Sequence, residues 1–128
     1  MTAEEQRNLQ VAKLYEELYN TDAERFVHEC YTSDCKAYGM GAGIIEGHTQ
    51  FVQVEKGVLQ AAPKRQMRVD HFHAVGNAVV VEAVLLNPDK GADWQLPFCA
   101  VLVCRDGKIA VDRTYADFTQ WPGLANMS

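Results

Sequence analysis

The sequence predicts an α+β fold in which helices pack against an antiparallel sheet. Apolar residues recur at helical spacing before Pro63, whereas after it they alternate with polar residues or form continuous runs rich in Val and aromatic side chains. Short turns that contain glycine separate those later runs, as is typical of strands that pair with their neighbours along the chain. Together these observations predict three helices followed by a sheet of four long strands.

The length and composition are those of one globular domain. A chain of 128 residues falls within the usual domain size, so we expect residues 1–128 to form one domain with a core at about 3–122. Hydrophobic residues make up 48% of the chain, and no apolar run is long enough to cross a membrane. The polar, acidic N-terminal residues differ from those of a secretory signal. We therefore expect a cytoplasmic protein.

The charged residues and cysteines indicate what the protein does not bind. The net charge is −5, and the densest basic group, Lys64-Arg65 with Arg68, is too sparse to neutralise a row of phosphates, so nucleic acid is not an expected partner. The four cysteines lack the Cys-x-x-Cys spacing of zinc sites. The glycine-rich stretch 39–47 lacks the Lys-Ser/Thr ending of a phosphate-binding loop. We therefore expect reduced thiols, no metal and no cofactor.

The first helix is predicted to begin at a capping box. Thr2 lies three residues before Glu5, so each side chain can accept a hydrogen bond from the other residue's backbone N–H. Apolar residues from Val11 to Leu18 then recur at helical spacing. We expect this helix to end at Asn20.

Two further helices are predicted before the sheet. Thr21 with Glu24 forms a second capping box ahead of a short apolar stripe, which indicates a second helix. The segment 31–47 contains four glycines and is expected to be a loop, with the option of a short strand at Lys36–Met40. A third helix is expected at about 49–61, because the proline that follows ends it.

The remaining segments are expected to form a meander of four antiparallel strands. The stretch Trp94–Cys104 is apolar on both faces, so we place it in the centre of the sheet, covered by helices on one side. A second copy of the chain is the natural cover on the other side, and we therefore expect a homodimer through the outer sheet face. The predicted strands are Arg65–Val75, Ala78–Asn87, Trp94–Arg105 and Lys108–Asp117.

Short stretches spread over almost the whole chain carry a family resemblance. They are Leu14-Tyr15 through Tyr19–Phe26, Tyr31–Cys35, Gly47 near the third helix, and Arg105–Ile109 leading to Asp112–Asp117. With the order of the elements, they resemble the nuclear-transport-factor-2-like superfamily. Within it the chain is similar to SnoaL-like proteins, which are relatives of ketosteroid isomerase, limonene-epoxide hydrolase and scytalone dehydratase. The resemblance implies a cone-shaped α+β barrel whose strongly curved sheet encloses a ligand pocket.

The catalytic residues of the characterised relatives are only partly matched. Ketosteroid isomerase uses a Tyr on the first helix, a carboxylate base and an Asp that its apolar site keeps protonated. Tyr15 matches the tyrosine, but the other two positions fall at about Gly39 and Ala100. The Arg and Asp of limonene-epoxide hydrolase would fall near Phe98 and Ala100, and its last-strand Asp aligns with Thr114. We therefore expect neither mechanism.

A first candidate acid comes from the second long strand. The resemblance points four of its residues toward the pocket: Val80, Glu82, Val84 and Leu86. Burial among apolar neighbours would raise the pKa of Glu82, as a general acid or base near neutral pH requires. A two-residue turn at Gly76-Asn77 would place His71 opposite Glu82, whereas a longer turn would place Asp70 there. Alternatively, Glu82 is a structural partner of His71 or Arg68.

A second candidate acid, Asp112, lies on the last strand. Two carboxyls in different surroundings around one cavity could give and take a proton, but Asp112 could instead form a salt bridge with Arg68 or Arg113. Glu55 on the third helix is expected to pair with Arg113 as a structural contact. The face of Asp112 is expected to line the pocket together with Ala110, Thr114 and Ala116. The other expected wall or rim residues are Tyr38, Phe98, Ala100 and Trp121.

These candidates predict a cofactor-independent acid/base enzyme. Its substrate would be a small, mostly apolar molecule with a carbonyl or hydroxyl group, and isomerisation, cyclisation, dehydration and hydrolysis are all compatible. Glu82 or Asp112 would be the base, and His71 its partner or the acid. Tyr15 would donate to an oxyanion, unless it is a core residue. A non-catalytic small-molecule binder and a dimeric protein-interaction module are the rival functions.

Overall fold

The computed structural model describes residues 1–39 and 43–124 and confirms the predicted α+β fold. These two ranges contain three α-helices, one short 3₁₀ helix (Pro88–Lys90) and six strands, and the strands form one open sheet. Met40, at the end of the optional short strand, lies outside the described residues. No helix in these two ranges is long and apolar enough to span a membrane. The elements are α1 (Ala3–Thr21), α2 (Ala23–Cys30), β1 (Tyr31–Gly39), β2 (Gly43–Glu46), α3 (Gly47–Ala61), β3 (Gln66–Val75), β4 (Ala78–Leu86), β5 (Gln95–Arg105) and β6 (Lys108–Tyr115).

The helix starts follow from local capping. At α1 the predicted capping box is confirmed, because the backbone N–H of Glu5 donates to Thr2 Oγ1 at 3.1 Å and that of Thr2 donates to Glu5 Oε1 at 2.9 Å. The predicted second capping box is wrong. Asp22 caps α2 instead, by accepting from the backbone N–H of Arg25 at 3.1 Å. The Thr21 hydroxyl donates back to a carbonyl of the preceding turn at 2.9 Å, so Thr21 belongs to α1.

The sheet has the strand order β2-β1-β6-β5-β4-β3, and all neighbours are antiparallel except β1 and β6, which run parallel. The prediction of a loop over 31–47 is therefore wrong, because this segment forms β1 and β2. Tyr31, Cys35 and Ala37 are buried at even spacing, as one face of a strand requires. Gly39 ends β1 where Phe118 packs over it, since an added Cβ would lie 3.0 Å from that ring.

The register of the β3–β4 hairpin follows the two-residue turn. His71 pairs with Glu82 and His73 with Val80, as that turn predicts, and a bulge at Asp70 shifts the register beyond His71. The side chains of β4 that enter the core are the odd-numbered ones: Val79, Val81, Ala83 and Leu85, each 5% exposed or less. The predicted inward direction of the even-numbered residues is therefore wrong for Val80, Glu82, Val84 and Leu86.

The helices cover the inner face of this sheet, where the core lies. The α1 helix packs across β3 and β4, and α3 packs against β1. β5 lies between β4 and β6, as its apolar sequence predicts. Its inner-face residues are Leu96, Phe98, Ala100, Leu102 and Cys104, all buried.

Candidate functional site

A cavity lies between the three helices and the inner sheet face, bordered by β1, β2, β6 and the C-terminal segment 117–124. The cavity has a volume of about 70 Å³, several times the roughly 10–15 Å³ that one water needs. Among the described residues, aromatic side chains form the largest group on the wall, beside aliphatic ones, and two acids and a threonine add polar groups on two sides. The aromatic residues are Tyr15, Tyr19, Phe26, Tyr31, Tyr38, Phe51, Phe118 and Trp121, and the polar ones are Glu55, Asp112 and Thr114.

Asp112 is the buried acid on the sheet side of the cavity. β6 directs it inward beside Leu102 of β5, and it is 5% exposed. Tyr31 Oη donates to its Oδ2 and Thr114 Oγ1 to its Oδ1, each at 2.6 Å, in place of the salt bridge to an arginine considered above. Burial raises the pKa of Asp112, whereas these two hydrogen bonds oppose the rise. The carboxyl is therefore held in a fixed orientation with both oxygens accepting.

Glu55 is a second acid on the helix side of the cavity. Its side chain is 13% exposed, and its Oε2 lies 3.5 Å from Nη2 of Arg65 rather than near Arg113, so the predicted pairing with Arg113 is wrong. Burial raises the pKa of Glu55 to about 7, and Arg65 opposes this. Arg65 is itself buried, with its guanidinium 4.0 Å above the Tyr19 ring. Glu55 can therefore gain or lose a proton near neutral pH.

Three of the four tyrosines on the wall are buried and supply hydroxyl groups to the site. Burial, and secondarily the charge of Asp112, raise the pKa of Tyr15 and of Tyr31 well above the usual range, so both remain neutral donors. The Tyr31 hydroxyl donates its hydrogen bond to Asp112. The buried hydroxyl of Tyr19 has no hydrogen-bond partner among the described residues. A bound molecule could satisfy it.

Aromatic packing and the C-terminal segment close the cavity. Phe26 of α2 meets the rings of Tyr15, Tyr19 and Tyr31 at centroid distances of 5.3–5.4 Å. The C-terminal segment is seated on α3 through a glycine, since a Cβ on Gly123 would approach a backbone oxygen of that helix to 2.9 Å. This contact holds the rings of the segment over the cavity.

The domain family is shown by sequence. The model of the SnoaL-like domain matches residues 11–111. The chain belongs to the SnoaL-like family. No curated protein sequence matches it.

Solved structures share the SnoaL-like fold at low sequence identity. A protein of Jannaschia sp. CCS1 named as a SnoaL-like polyketide cyclase is 15% identical, with a TM-score of 0.80 over 98% of this chain and 96% of its own. A Kribbella flavida protein named as a ketosteroid isomerase is 18% identical, with a TM-score of 0.73 over 88% and 78%. A Catenulispora acidiphila protein with a ketosteroid isomerase-like fold, in complex with trimethylamine, is 16% identical, with a TM-score of 0.76 over 92% and 93%. At these identities the likeness concerns the fold.

Of the predicted site residues, one group lies together on the cavity wall of this SnoaL-like domain: Tyr15, Tyr38, Asp112, Thr114 and Trp121. Phe98 and Ala100 lie on the inner face as predicted but belong to the core. Phe98 packs edge-on against Trp121 at 5.3 Å, behind the wall. Ala116, after the end of β6, is half-buried outside the lining.

Glu82 and His71 lie on the opposite face of the sheet, outside the cavity. The Glu82 side chain is 54% exposed, and its Oε2 lies 3.0 Å from Nε2 of His73. That hydrogen bond lowers the pKa of Glu82, which is the reverse of the predicted rise. The error has a physical origin. β4 is apolar on both faces, so alternation does not identify the inner one, and Glu82 is its only charged residue.

Glu55, Tyr19 and Tyr31 are cavity residues that sequence reasoning did not select. Glu55 was assigned a structural contact, yet it is an acid on the mostly apolar inner side of α3, which is a signal for a buried carboxyl. Tyr31 lies in the segment predicted as a loop, so strand alternation could not be used to predict where its side chain points. In the described part of the chain, no three His, Cys, Asp or Glu side chains come together as metal ligands.

Proposed function

We propose that this SnoaL-like protein is a cofactor-independent acid/base enzyme acting on a small, mostly apolar molecule that bears a carbonyl or hydroxyl group. Asp112 serves as the base that removes a proton next to the carbonyl. Tyr15 donates a hydrogen bond to the oxygen on which negative charge develops. Glu55 donates a proton to the reacting molecule or accepts one from it, since a pKa of about 7 allows either role near neutral pH.

The surroundings of Asp112 carry this proposal. A carboxyl that is 5% exposed costs free energy to ionise, and such a cost makes it a stronger base once ionised. Two hydroxyl donors at 2.6 Å fix its orientation on the wall of an aromatic cavity. Fixed orientation and raised basicity are the properties that proton abstraction requires.

Proton abstraction can be tested without knowledge of the substrate. Small ketones are incubated with the protein in D₂O, and deuterium uptake next to the carbonyl is followed by NMR. We expect Asp112→Asn to lower the exchange rate by about 100-fold or more. Glu82→Gln, on the outer face, is the matched control and should leave the rate unchanged. Equal rates in wild type and Asp112→Asn would refute the role of Asp112.

A non-catalytic binder is the second candidate, favoured by the small size and aromatic wall of the cavity. The trimethylamine complex of the Catenulispora acidiphila relative supports binding of a small molecule by a protein of this fold. A binder would be stabilised by ligand in a saturable way and would show no deuterium exchange. Ligand-induced stabilisation without exchange would therefore favour binding over catalysis.

We also propose that a second copy of the chain covers the outer sheet face. Val80, Val101 and Val103 are only half-buried there, and Tyr115 is 45% exposed. The same face carries charges of both signs, which a two-fold axis can bring together. Val101→Glu should convert the dimer to monomer in sedimentation velocity, and Lys13→Glu on α1 should not. A wild-type protein that is monomeric at all concentrations would exclude this dimer.

A cytoplasmic location is part of the proposal. All four cysteines are free thiols, and three of them are buried. Unpaired cysteines suit a reducing compartment. Localisation of a fluorescent fusion in cells would test this, and an extracytoplasmic signal would contradict it.

A further inference from the structure

The cavity wall combines aromatic rings with carboxylic acids. Among the described residues that line it, two are carboxylic acids, Asp112 and Glu55, and none is Lys, Arg or His. The faces of aromatic rings carry partial negative charge and attract cations. Aromatic walls with a nearby carboxylate are therefore suited to an organic cation.

We propose that the molecule bound in this cavity carries a small ammonium group. The group would sit among the rings near Asp112, and the carbonyl or hydroxyl part of the molecule would face Tyr15. This inference rests on the proposed small-molecule site and adds the charge of the ligand to it. An anionic ligand would meet the carboxylates and ring faces with the same sign of charge.

Within residues 1–39 and 43–124, Arg65 is the basic residue that forms an ion pair with an acid of the cavity wall, and its position limits its effect on a bound cation. Its guanidinium lies 4.0 Å above the Tyr19 ring and its Nη2 lies 3.5 Å from Glu55, but it is not a lining residue. Its positive charge therefore partly neutralises Glu55 from outside the cavity. In the part of the chain that the structure describes, Asp112 accepts hydrogen bonds from the neutral hydroxyls of Tyr31 and Thr114 and from no basic side chain.

A pair of probes of similar shape and different charge tests the proposal. Tetramethylammonium chloride and tert-butanol are titrated into the protein and followed by NMR chemical shifts, with sodium chloride as the ionic-strength control. We expect tetramethylammonium to bind about tenfold more tightly than tert-butanol. Equal binding, or tighter binding of tert-butanol, overturns the ammonium proposal and leaves the small-molecule site intact. If neither probe binds, the ammonium proposal is also overturned, while deuterium exchange still tests the catalytic proposal.

Variants of the wall distinguish the charged and aromatic contributions. Asp112→Asn should weaken tetramethylammonium by about tenfold and leave tert-butanol unchanged. Tyr38 lies at the rim and is 37% exposed, so its substitution should not prevent folding. Tyr38→Leu should weaken tetramethylammonium by about 2- to 5-fold, whereas Tyr38→Phe keeps the ring and the affinity. Unchanged affinity in both Asp112→Asn and Tyr38→Leu would refute the proposal.

The pH dependence of affinity gives an independent test, because tetramethylammonium has no proton to lose. Glu55 faces Arg65, Asp112 and the two α1 tyrosines, and its pKa is about 7. The tyrosines stay neutral in this range, so ionisation of Glu55 should strengthen cation binding between about pH 6 and pH 8. Glu55→Gln should flatten this rise. A flat profile in the wild type would contradict the proposal.

Discussion

Asp112 and Glu82 are carboxylic acids on strands of the same sheet, yet their surroundings are opposite. Asp112 points into the cavity, is 5% exposed, and has its pKa raised by burial. Glu82 points outward, has a side chain that is 54% exposed, and has its pKa lowered by the hydrogen bond with His73. The face of the strand, not the residue type, therefore decides whether the pKa of each acid is raised or lowered.

The largest expected effect tests the face assignment on β4 itself. Leu85 is fully buried on the inner face, whereas Leu86 is half-buried on the outer side. Leu85→Ala should lower the free energy of unfolding by about 2–5 kcal/mol, because a buried leucine leaves a cavity when truncated. Leu86→Ala is the matched control and should cost less than half as much, as measured by urea denaturation. A larger cost for Leu86→Ala would reverse the assignment.

The second prediction concerns the pH dependence that a buried acid imposes on stability. The pKa of Glu55 rises from 4.5 to about 7 in the folded protein, so the folded state binds this proton more tightly than the unfolded state. Its contribution to stability is present below pH 4.5 and is lost as the pH rises through 7, a change of about 3 kcal/mol.

Denaturation of the wild type and Glu55→Gln at several pH values measures this change. The wild type should lose about 3 kcal/mol more than Glu55→Gln between about pH 4.5 and pH 8. Glu82→Gln is the outer-face comparison, and removing Glu82 should alter the pH dependence in the opposite direction because its pKa is lowered. Identical pH profiles for wild type and Glu55→Gln would show that Glu55 is not buried as described.

Much of the fold could be predicted from the sequence because local signals agree with it. The Thr2–Glu5 capping box, the two-residue turn between β3 and β4, and the apolar strand β5 each specify their structure within a few residues. β1 could not be predicted in the same way. It is paired with β6, which lies more than 60 residues later in the chain, and its glycine-rich end gives the local pattern of a loop.

The candidate site was less predictable because it depends on which face of each strand points inward and on contacts between elements that are distant in the sequence. Alternation does not predict the inward direction of Asp112, because the other face of its strand carries the apolar Ile109 and Val111. Glu82 lies in a strand that is apolar on both faces, so only the family resemblance predicts whether its even- or odd-numbered side chains point inward. The pairing of Tyr31 with Asp112 joins residues 81 positions apart, which no local pattern reveals.

The third prediction removes one of the two donors to Asp112. Tyr31→Phe deletes the hydroxyl that donates to Oδ2 at 2.6 Å and should cost about 1–3 kcal/mol of stability, since a buried carboxyl oxygen loses its partner. The pKa of Asp112 should rise further, because that hydrogen bond lowers it. Carboxyl ¹³C NMR titration measures the shift. Tyr38→Phe, on the same strand with a ring that is 37% exposed, is the control and should change neither quantity.

The smallest expected effect is on the outer face. His73 and Glu82 form a hydrogen-bonded pair at 3.0 Å, but their side chains are 53% and 54% exposed. In the monomeric Val101→Glu variant water solvates both partners when the pair is broken, so adding His73→Gln or Glu82→Gln to it should leave the free energy of unfolding nearly unchanged. Denaturation at pH 7 measures this. A loss in that variant as large as that of Tyr31→Phe would mean that Glu82, like Asp112, lies in a site of the single chain from which water is excluded.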